Sequence, residues 1–227
     1  MTLPILYSLR NCPYAMRARL AIYQSKQAVA LRDVVLTNKP ADMLIASPKG
    51  TVPILLLPSG EVIDESLDIM LWALHQSDPN NLLRPTTVNS HVAESEPAAT
   101  QADMLSLIEH FDQQFKIALE AYKCAKRYHE TNLQECRQAC EVFIQNLELR
   151  LSQHSYLMDN QESVADIALL PFIRQFAKVE RQWYLQSPYP NLKRWLNQYL
   201  QSAMFTKVMA KHPLWSAEQP VLIFGDV

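Results

Sequence analysis

The sequence predicts an α/β domain with the element order β-α-β-α-β-β-α, followed by an all-helical bundle. Over the first 77 residues, short β-prone apolar runs alternate with amphipathic helical patterns. A polar stretch containing several prolines then covers residues 78–100. Beyond it, apolar residues recur at three- and four-residue spacing and strand patterns almost vanish. We therefore expect domains at residues 1–77 and 101–227, joined by a linker over 78–100.

The elements of the first domain follow from these patterns in chain order. Residues 3–8 are an apolar run that predicts the first strand, and Pro13 to Lys26 have the spacing of an amphipathic helix. Asn11 can cap this helix, and proline fits its first turn because its missing N–H costs nothing there. The remaining predicted elements are a strand over 30–36, a short helix over 41–46, strands over 54–57 and 62–63 around a Pro-Ser-Gly turn, and a helix beginning at 64–66.

The second domain is predicted to be a bundle in which helix packing supplies most of the stability. Helical periodicity covers residues 101–128, 133–153, 163–178 and 191–211. Ser163 and Asp166 have the spacing of a capping box, and apolar residues follow at once. Asp166 could be taken for a catalytic acid, but a helix start needs an acceptor at this position. We therefore interpret Asp166 as structural, at the start of a deeply buried helix.

Composition argues against several classes of function. Hydrophobic residues make up 48% of the chain, charged residues 19%, and the formal net charge is −2, with no basic excess suited to nucleic acid. The three glycines form no GxGxxG or P-loop motif. No apolar run approaches the ~20 residues of a membrane span, and the N-terminus lacks the features of a signal peptide. We expect a cytoplasmic protein without a nucleic-acid or membrane partner.

The chain has four cysteines, and one of them stands in a reactive context. Without a secretion signal a disulfide framework is not expected, and Cys124, Cys136 and Cys140 lack the spacing of a zinc site, so no metal is predicted. Cys12 opens the first predicted helix, where free N–H groups and the helix dipole favour a thiolate. Because Ala15 replaces the second cysteine of a C-x-x-C pair, a mixed disulfide on Cys12 needs a resolving thiol from solution.

Three motifs together resemble those of cytosolic glutathione transferases. These are Cys12-Pro13-Tyr14 at the first helix, "SPKGTVPIL" and "DESLDI", and an all-helical half follows them. The resemblance covers essentially the whole chain and implies a thioredoxin-like first domain. It is greatest to the cysteine-type members, namely the omega class and the bacterial two-domain glutaredoxin-like proteins.

The resemblance also implies a binding site, position by position. Cys12 matches the cysteine that forms a mixed disulfide with glutathione, and Val52-Pro53 matches the pair in which a cis-proline lets the valine backbone bind the cysteinyl group. Glu65-Ser66 matches the acid and hydroxyl that hold the γ-glutamyl ammonium and carboxylate, a chemistry these groups can supply. Lys39 aligns by spacing with a lysine near the glycyl end.

The function implied is that of a glutathione-dependent thiol transferase or reductase with glutathione as cosubstrate. Its substrates would be small disulfides, glutathionylated thiols, dehydroascorbate or quinone-like adducts. Conjugation of glutathione to electrophiles is an alternative, and so is a non-enzymatic interaction protein on the same fold. The resemblance leaves the oligomeric state open, since most members of the superfamily are homodimers but glutaredoxin-like members can be monomers. Five aromatic residues could line an acceptor pocket but are more typical of core: Phe111, Phe115, Tyr122, Tyr128 and Trp183.

Overall fold

A computed structural model describes residues 2–84 and 99–225, which divide into two compact units. The first unit takes its described residues from Met1–Asn80 and Gln201–Val227, and the second takes them from Asn81–Leu200. Most of the expected linker, residues 85–98, lies outside the described residues. In the described ranges, no helix has the length and apolar character needed to cross a membrane.

A mixed sheet of five strands lies in the first unit. The strands are β1 (Ile5–Ser8), β2 (Val29–Asp33), β3 (Ile54–Leu56), β4 (Val62–Ile63) and β5 (Ile223–Phe224), in the spatial order β4-β3-β1-β2-β5. β1 and β2 are parallel, and every other neighbouring pair is antiparallel. The first four strands confirm the predicted order. The sequence did not predict β5, whose two residues near the C-terminus pair with β2.

The described residues contain ten α-helices. They are α1 (Pro13–Ser25), α2 (Ala41–Ala46), α3 (Ser66–Gln76), α4 (Gln101–His110), α5 (Lys116–Tyr128), α6 (Leu133–Gln153), α7 (Val164–Val179), α8 (Arg181–Gln186), α9 (Pro190–Leu200) and α10 (Ala203–Val208). In the first unit α1 packs against α3 and α10, and in the second α6 packs against α5 and α9. An α/β first unit followed by a helical bundle is the predicted fold class.

Several helix boundaries differ from those predicted. The stretch 101–128 is interrupted by a π-helical turn at Phe111–Phe115, and α8 lies in a stretch for which no helix was predicted. The stretch 191–211 breaks into α9 and α10, and α10 belongs to the first unit. Ser202 causes the break, since its hydroxyl accepts a hydrogen bond from the Phe205 N–H and starts a new helix.

The C-terminal segment packs in the first unit, although the expected domain boundaries place it with the helical half. The Trp215 N–H donates to the Asp33 carbonyl at 2.8 Å, and the Leu31 N–H donates to the Leu222 carbonyl at 2.8 Å. Gly225 follows β5 with φ +96. Backbone pairing with β2 therefore holds this segment.

Asp166 has the structural role expected from its spacing. One carboxylate oxygen accepts from both the N–H and the hydroxyl of Ser163, and the other accepts from the Leu157 N–H and the Trp195 indole N–H at 2.9 Å each. The side chain is fully buried. It thus ties the start of α7 to the preceding loop and to α9.

Candidate active site

Cys12 is the residue from which α1 starts. It is the N-cap residue itself, so the prediction that Asn11 caps this helix is wrong. Its N–H donates to the Leu9 carbonyl at 3.0 Å, and its carbonyl accepts from the Met16 N–H at 2.9 Å. The thiol is free and partly buried, next to an apolar cluster that includes Ala15 and Val52. A sharp turn out of β1 therefore presents the sulfur at the open end of a helix.

The Val52-Pro53 peptide lies beside the thiol. Its bond is cis, as the resemblance implies. The Cys12 Sγ lies 3.7 Å from the Val52 carbonyl oxygen and donates to it, and Val52 itself is buried. The fold therefore brings together two of the predicted site positions that are 40 residues apart in the sequence.

A buried guanidinium lies behind the turn that carries Cys12. Arg19 donates to the Ser8 hydroxyl and, at 2.6 Å, to the Arg10 carbonyl. Burial lowers the pKa of Arg19 to about 10, against the opposing effects of Asp33 and Cys12. Burial likewise raises the pKa of Asp33, and the Arg19 charge opposes that rise. The sequence showed only that Arg19 is near Cys12, and the contacts that fix it needed the fold.

Glu65 and Ser66 lie where β4 leads into α3. Glu65 is the N-cap residue, its carbonyl accepts from the Ile69 N–H at 3.0 Å, and its side chain is 68% exposed. Ser66 is the first residue of α3 and is buried. A carboxylate in solvent next to a hydroxyl at a helix start can receive an ammonium and a carboxylate side by side.

Lys49 is a neighbour of Glu65 to which the sequence analysis gave no role. Its Nζ lies 3.0 Å from Glu65 Oε1 and 3.1 Å from Asp64 Oδ1. The Ser47 hydroxyl donates to the other Asp64 oxygen at 2.9 Å. The bonds to Glu65 and Asp64 raise the pKa of Lys49, and the pKa of Asp64 is lowered, chiefly by the Ser47 bond. The only signal in the sequence was a lysine inside the quoted "SPKGTVPIL" run.

Lys39, which precedes α2, lies beside Gly50, a residue of the loop between α2 and Val52. A Cβ added at Gly50 would meet the Lys39 Nζ at 2.9 Å and the Leu44 side chain at 3.1 Å, and Gly50 has φ +59. A side chain at this position would therefore displace the lysine. The place of Lys39 near a glycyl carboxylate stays a prediction.

Tyr7 and the aromatic residues of the second unit are mostly packing groups. Tyr7 is fully buried, its hydroxyl accepts from Arg32 at 2.5 Å, and burial raises its pKa. Phe111 and Phe115 are buried with ring centroids 5.0 Å apart, and both pack on Phe143. Tyr122 is buried as well, whereas Tyr128 is exposed. Within residues 2–84 and 99–225, no group of three or more His, Cys, Asp or Glu side chains is placed to hold a metal ion.

Two family models match the sequence, one for each half. Residues 6–81 match the model of the glutathione S-transferase N-terminal domain, and residues 97–203 match that of the C-terminal domain. The chain is also 24% identical over 191 residues to the Mus musculus glutathione S-transferase omega-1, covering 84% of this chain and 73% of that protein.

Solved structures share the fold. A Pseudomonas fluorescens Pf-5 glutathione transferase family member with two glutathione bound has a TM-score of 0.73 at 17% identity, over 91% of this chain and 92% of its own. A glutathione S-transferase I bound with lactoylglutathione has a TM-score of 0.73 at 19% identity, over 92% and 99%. At these identities the structural likeness concerns the fold alone.

Proposed function

The chain belongs to the glutathione S-transferase family, and on that premise we propose that it is a glutathione-dependent thiol transferase with Cys12 as nucleophile. The single observation that carries the proposal is the Cys12 thiol at the start of α1, 3.7 Å from the Val52 carbonyl. The thiolate is the form of cysteine that attacks a disulfide, and the free N–H groups of a helix start are suited to an anion.

Ala15 gives the proposed reaction its one-cysteine form. This side chain is buried where a C-x-x-C pair would have its second thiol, and residues 1–80 contain no cysteine besides Cys12. The Cys12 thiolate attacks the glutathionyl sulfur of a mixed disulfide, forms Cys12–S–SG and releases the substrate thiolate. A glutathione thiolate then attacks that adduct, giving oxidised glutathione and free Cys12. Each turnover thus consumes one glutathione thiol, and the other half of the oxidised glutathione comes from the substrate mixed disulfide.

The remaining predicted residues would hold glutathione along its length. We assign the Val52 backbone to the cysteinyl group, Glu65 and Ser66 to the γ-glutamyl ammonium and carboxylate, and Lys39 to the glycyl carboxylate. The exposed carboxylate and the buried helix-start hydroxyl at positions 65 and 66 support the γ-glutamyl assignment. Reduced glutathione must be abundant around such an enzyme, as it is in the cytoplasm. A homodimer is part of the same proposal.

Intact-mass analysis after incubation with oxidised glutathione tests the role of Cys12. The wild-type protein is expected to gain the mass of one glutathionyl group, and Cys12→Ser is expected to gain none. Cys124→Ser is the matched control because it removes another partly buried free thiol. Cys140 is expected to stay unmodified, since burial raises its pKa to about 12. Equal labelling of wild type and Cys12→Ser would refute the mechanism.

A pair of activity assays separates thiol transfer from conjugation. Reduction of hydroxyethyl disulfide by glutathione should proceed and should be lost in Cys12→Ser, because the Cys12 thiolate takes the glutathionyl group from the mixed disulfide of glutathione and mercaptoethanol. Conjugation of chlorodinitrobenzene should be slow by comparison. The reverse order of rates would favour a conjugating transferase, and activity in neither assay despite glutathione binding would favour an interaction protein.

A further inference from the structure

The carboxylate expected to hold the ammonium of glutathione already holds an ammonium in the ligand-free protein. Lys49 Nζ lies 3.0 Å from Glu65 Oε1, a distance typical of a charge-assisted hydrogen bond. Both side chains are well exposed, at 54% for Lys49 and 68% for Glu65. The pair is therefore formed in solvent, where it can open without exposing buried charge.

Asp64 gives Lys49 a second partner that a ligand need not remove. The same Nζ lies 3.1 Å from Asp64 Oδ1, and Asp64 is the least exposed of the three side chains, at 26%. The Ser47 hydroxyl fixes the other Asp64 oxygen at 2.9 Å. Lys49 can therefore release Glu65 and keep a counter-ion, so the exchange leaves no charge unpaired.

We propose that Lys49 is an internal competitor for the γ-glutamyl ammonium, bound to Glu65 in the free protein and retained by Asp64 when glutathione takes its place. This inference rests on the proposed function and assigns a specificity-determining role to a residue outside the predicted site. A ligand that brings its own ammonium can replace Lys49 on Glu65. A ligand without one leaves the Lys49–Glu65 pair intact and gains nothing from Glu65.

Binding of two ligands to two variants tests the competition. The ligands are glutathione and 4-carboxybutanoyl-cysteinylglycine, which is glutathione without its ammonium, and calorimetry measures both affinities. In Lys49→Met the ratio of the affinity for glutathione to that for the analogue should rise about two- to fivefold over wild type, the scale of one exposed ion pair. Lys26→Met is the matched control, because it removes one positive charge at the far end of α1 and should leave the ratio unchanged.

A double variant separates competition from net charge. Lys49→Met with Asp64→Asn removes one charge of each sign, so the formal charge equals that of the wild type, and the ratio should still rise. A ratio that stays constant or falls in Lys49→Met overturns the inference. If both ligands lose affinity in parallel, Lys49 instead donates hydrogen bonds to a carboxylate that the two ligands share. If wild type binds neither ligand, the proposed glutathione function fails, whereas an unchanged ratio with normal wild-type binding refutes the role of Lys49 alone.

Discussion

Arg19 is a side chain outside the reacting groups that helps to position the Cys12 thiol. It lies seven residues after Cys12, about two helical turns along α1, so both face the same side of the helix. Its guanidinium is buried and bonds to Ser8 at the end of β1 and to Arg10 in the turn. It therefore joins the strand, the turn and the helix that together position the sulfur.

Replacing Arg19 by methionine should lower stability and slow the reaction of Cys12. The change leaves the Arg10 carbonyl and the buried Asp33 carboxylate without their cation, at a cost of about 3 kcal/mol. Because the guanidinium that fixes the turn before Cys12 is also lost, the rate of Cys12 alkylation by iodoacetamide should fall. Urea unfolding and alkylation rates measure the two effects.

Arg19→Lys separates packing from charge. It keeps a cation at the end of a long side chain but cannot make both hydrogen bonds in a fixed fork, so stability should fall while most of the alkylation rate returns. An alkylation rate in Arg19→Met equal to that of wild type would contradict a role of Arg19 in positioning the Cys12 thiol.

The residues predictable from sequence are those whose role follows from a local motif. Cys12 was found from a cysteine-proline pair at a helix start, and its contact with Val52 followed only from the family resemblance. The roles of Lys49 and Asp64 were not predicted, because they depend on how two loops approach each other. The Lys49 Nζ lies 3.0 Å from Glu65 and 3.1 Å from Asp64, and sequence spacing does not encode such distances. A lysine in a loop before a strand looks like an ordinary solvent-exposed residue.

At the scale of single elements, the start of α7 depends on one carboxylate. Asp166→Ala removes the acceptor of hydrogen bonds from Ser163, Leu157 and Trp195, all of them buried. Because donors left unpaired in the interior cost ~1–3 kcal/mol each, the free energy of unfolding should fall by at least about 3 kcal/mol. Chemical denaturation monitored by circular dichroism measures this loss.

The chain carries its own control for that prediction. Thr100 and Asp103 form the same capping box at the start of α4, but on the surface. Asp103→Ala should therefore cost much less than Asp166→Ala, since water replaces the lost acceptor. Equal losses in the two variants would show that burial adds nothing to the box.

Helix periodicity predicted where elements lie better than where they break. Buried positions at three- and four-residue spacing continue through residues 101–128, and a π-helical turn inserts one extra residue without disturbing that face. The break between α9 and α10 arises at Ser202, whose hydroxyl caps α10, and a serine can also lie within a helix. Such choices depend on tertiary partners, which a single sequence does not display.

At the scale of the whole molecule, the two ends of the chain form one structural unit. β5 pairs with β2 at the edge of a sheet whose other strands come from the first 63 residues. Trp215 packs edge-on against Tyr7 with ring centroids 6.5 Å apart, and Arg32 stacks on its indole at 4.1 Å. Two residues of strand are too short for a periodic signal, which explains why the sequence did not predict this return.

Gly225 is the residue that permits this return, and its replacement should release the edge of the sheet. It has φ +96, and an added Cβ would lie 2.0 Å from the Gln27 carbonyl oxygen, a backbone atom that cannot move aside. Gly225→Ala should therefore detach β5 from β2. The Leu31 amide, which donates to Leu222, should then exchange with solvent many times faster.

Gly60→Ala is the matched control, because Gly60 also has a positive φ, +91, but nothing lies within 4 Å of an added Cβ. Both variants should lose about 1 kcal/mol of folding free energy, because an L-residue is strained at positive φ. Only Gly225→Ala adds a steric clash. Hydrogen exchange at Leu31 should change in Gly225→Ala alone, and the free energy of unfolding should fall further there than in Gly60→Ala. Equal exchange rates at Leu31 in the two variants would mean that the C-terminal strand does not depend on Gly225, and that β2 keeps its edge partner by the Trp215 and Leu222 contacts.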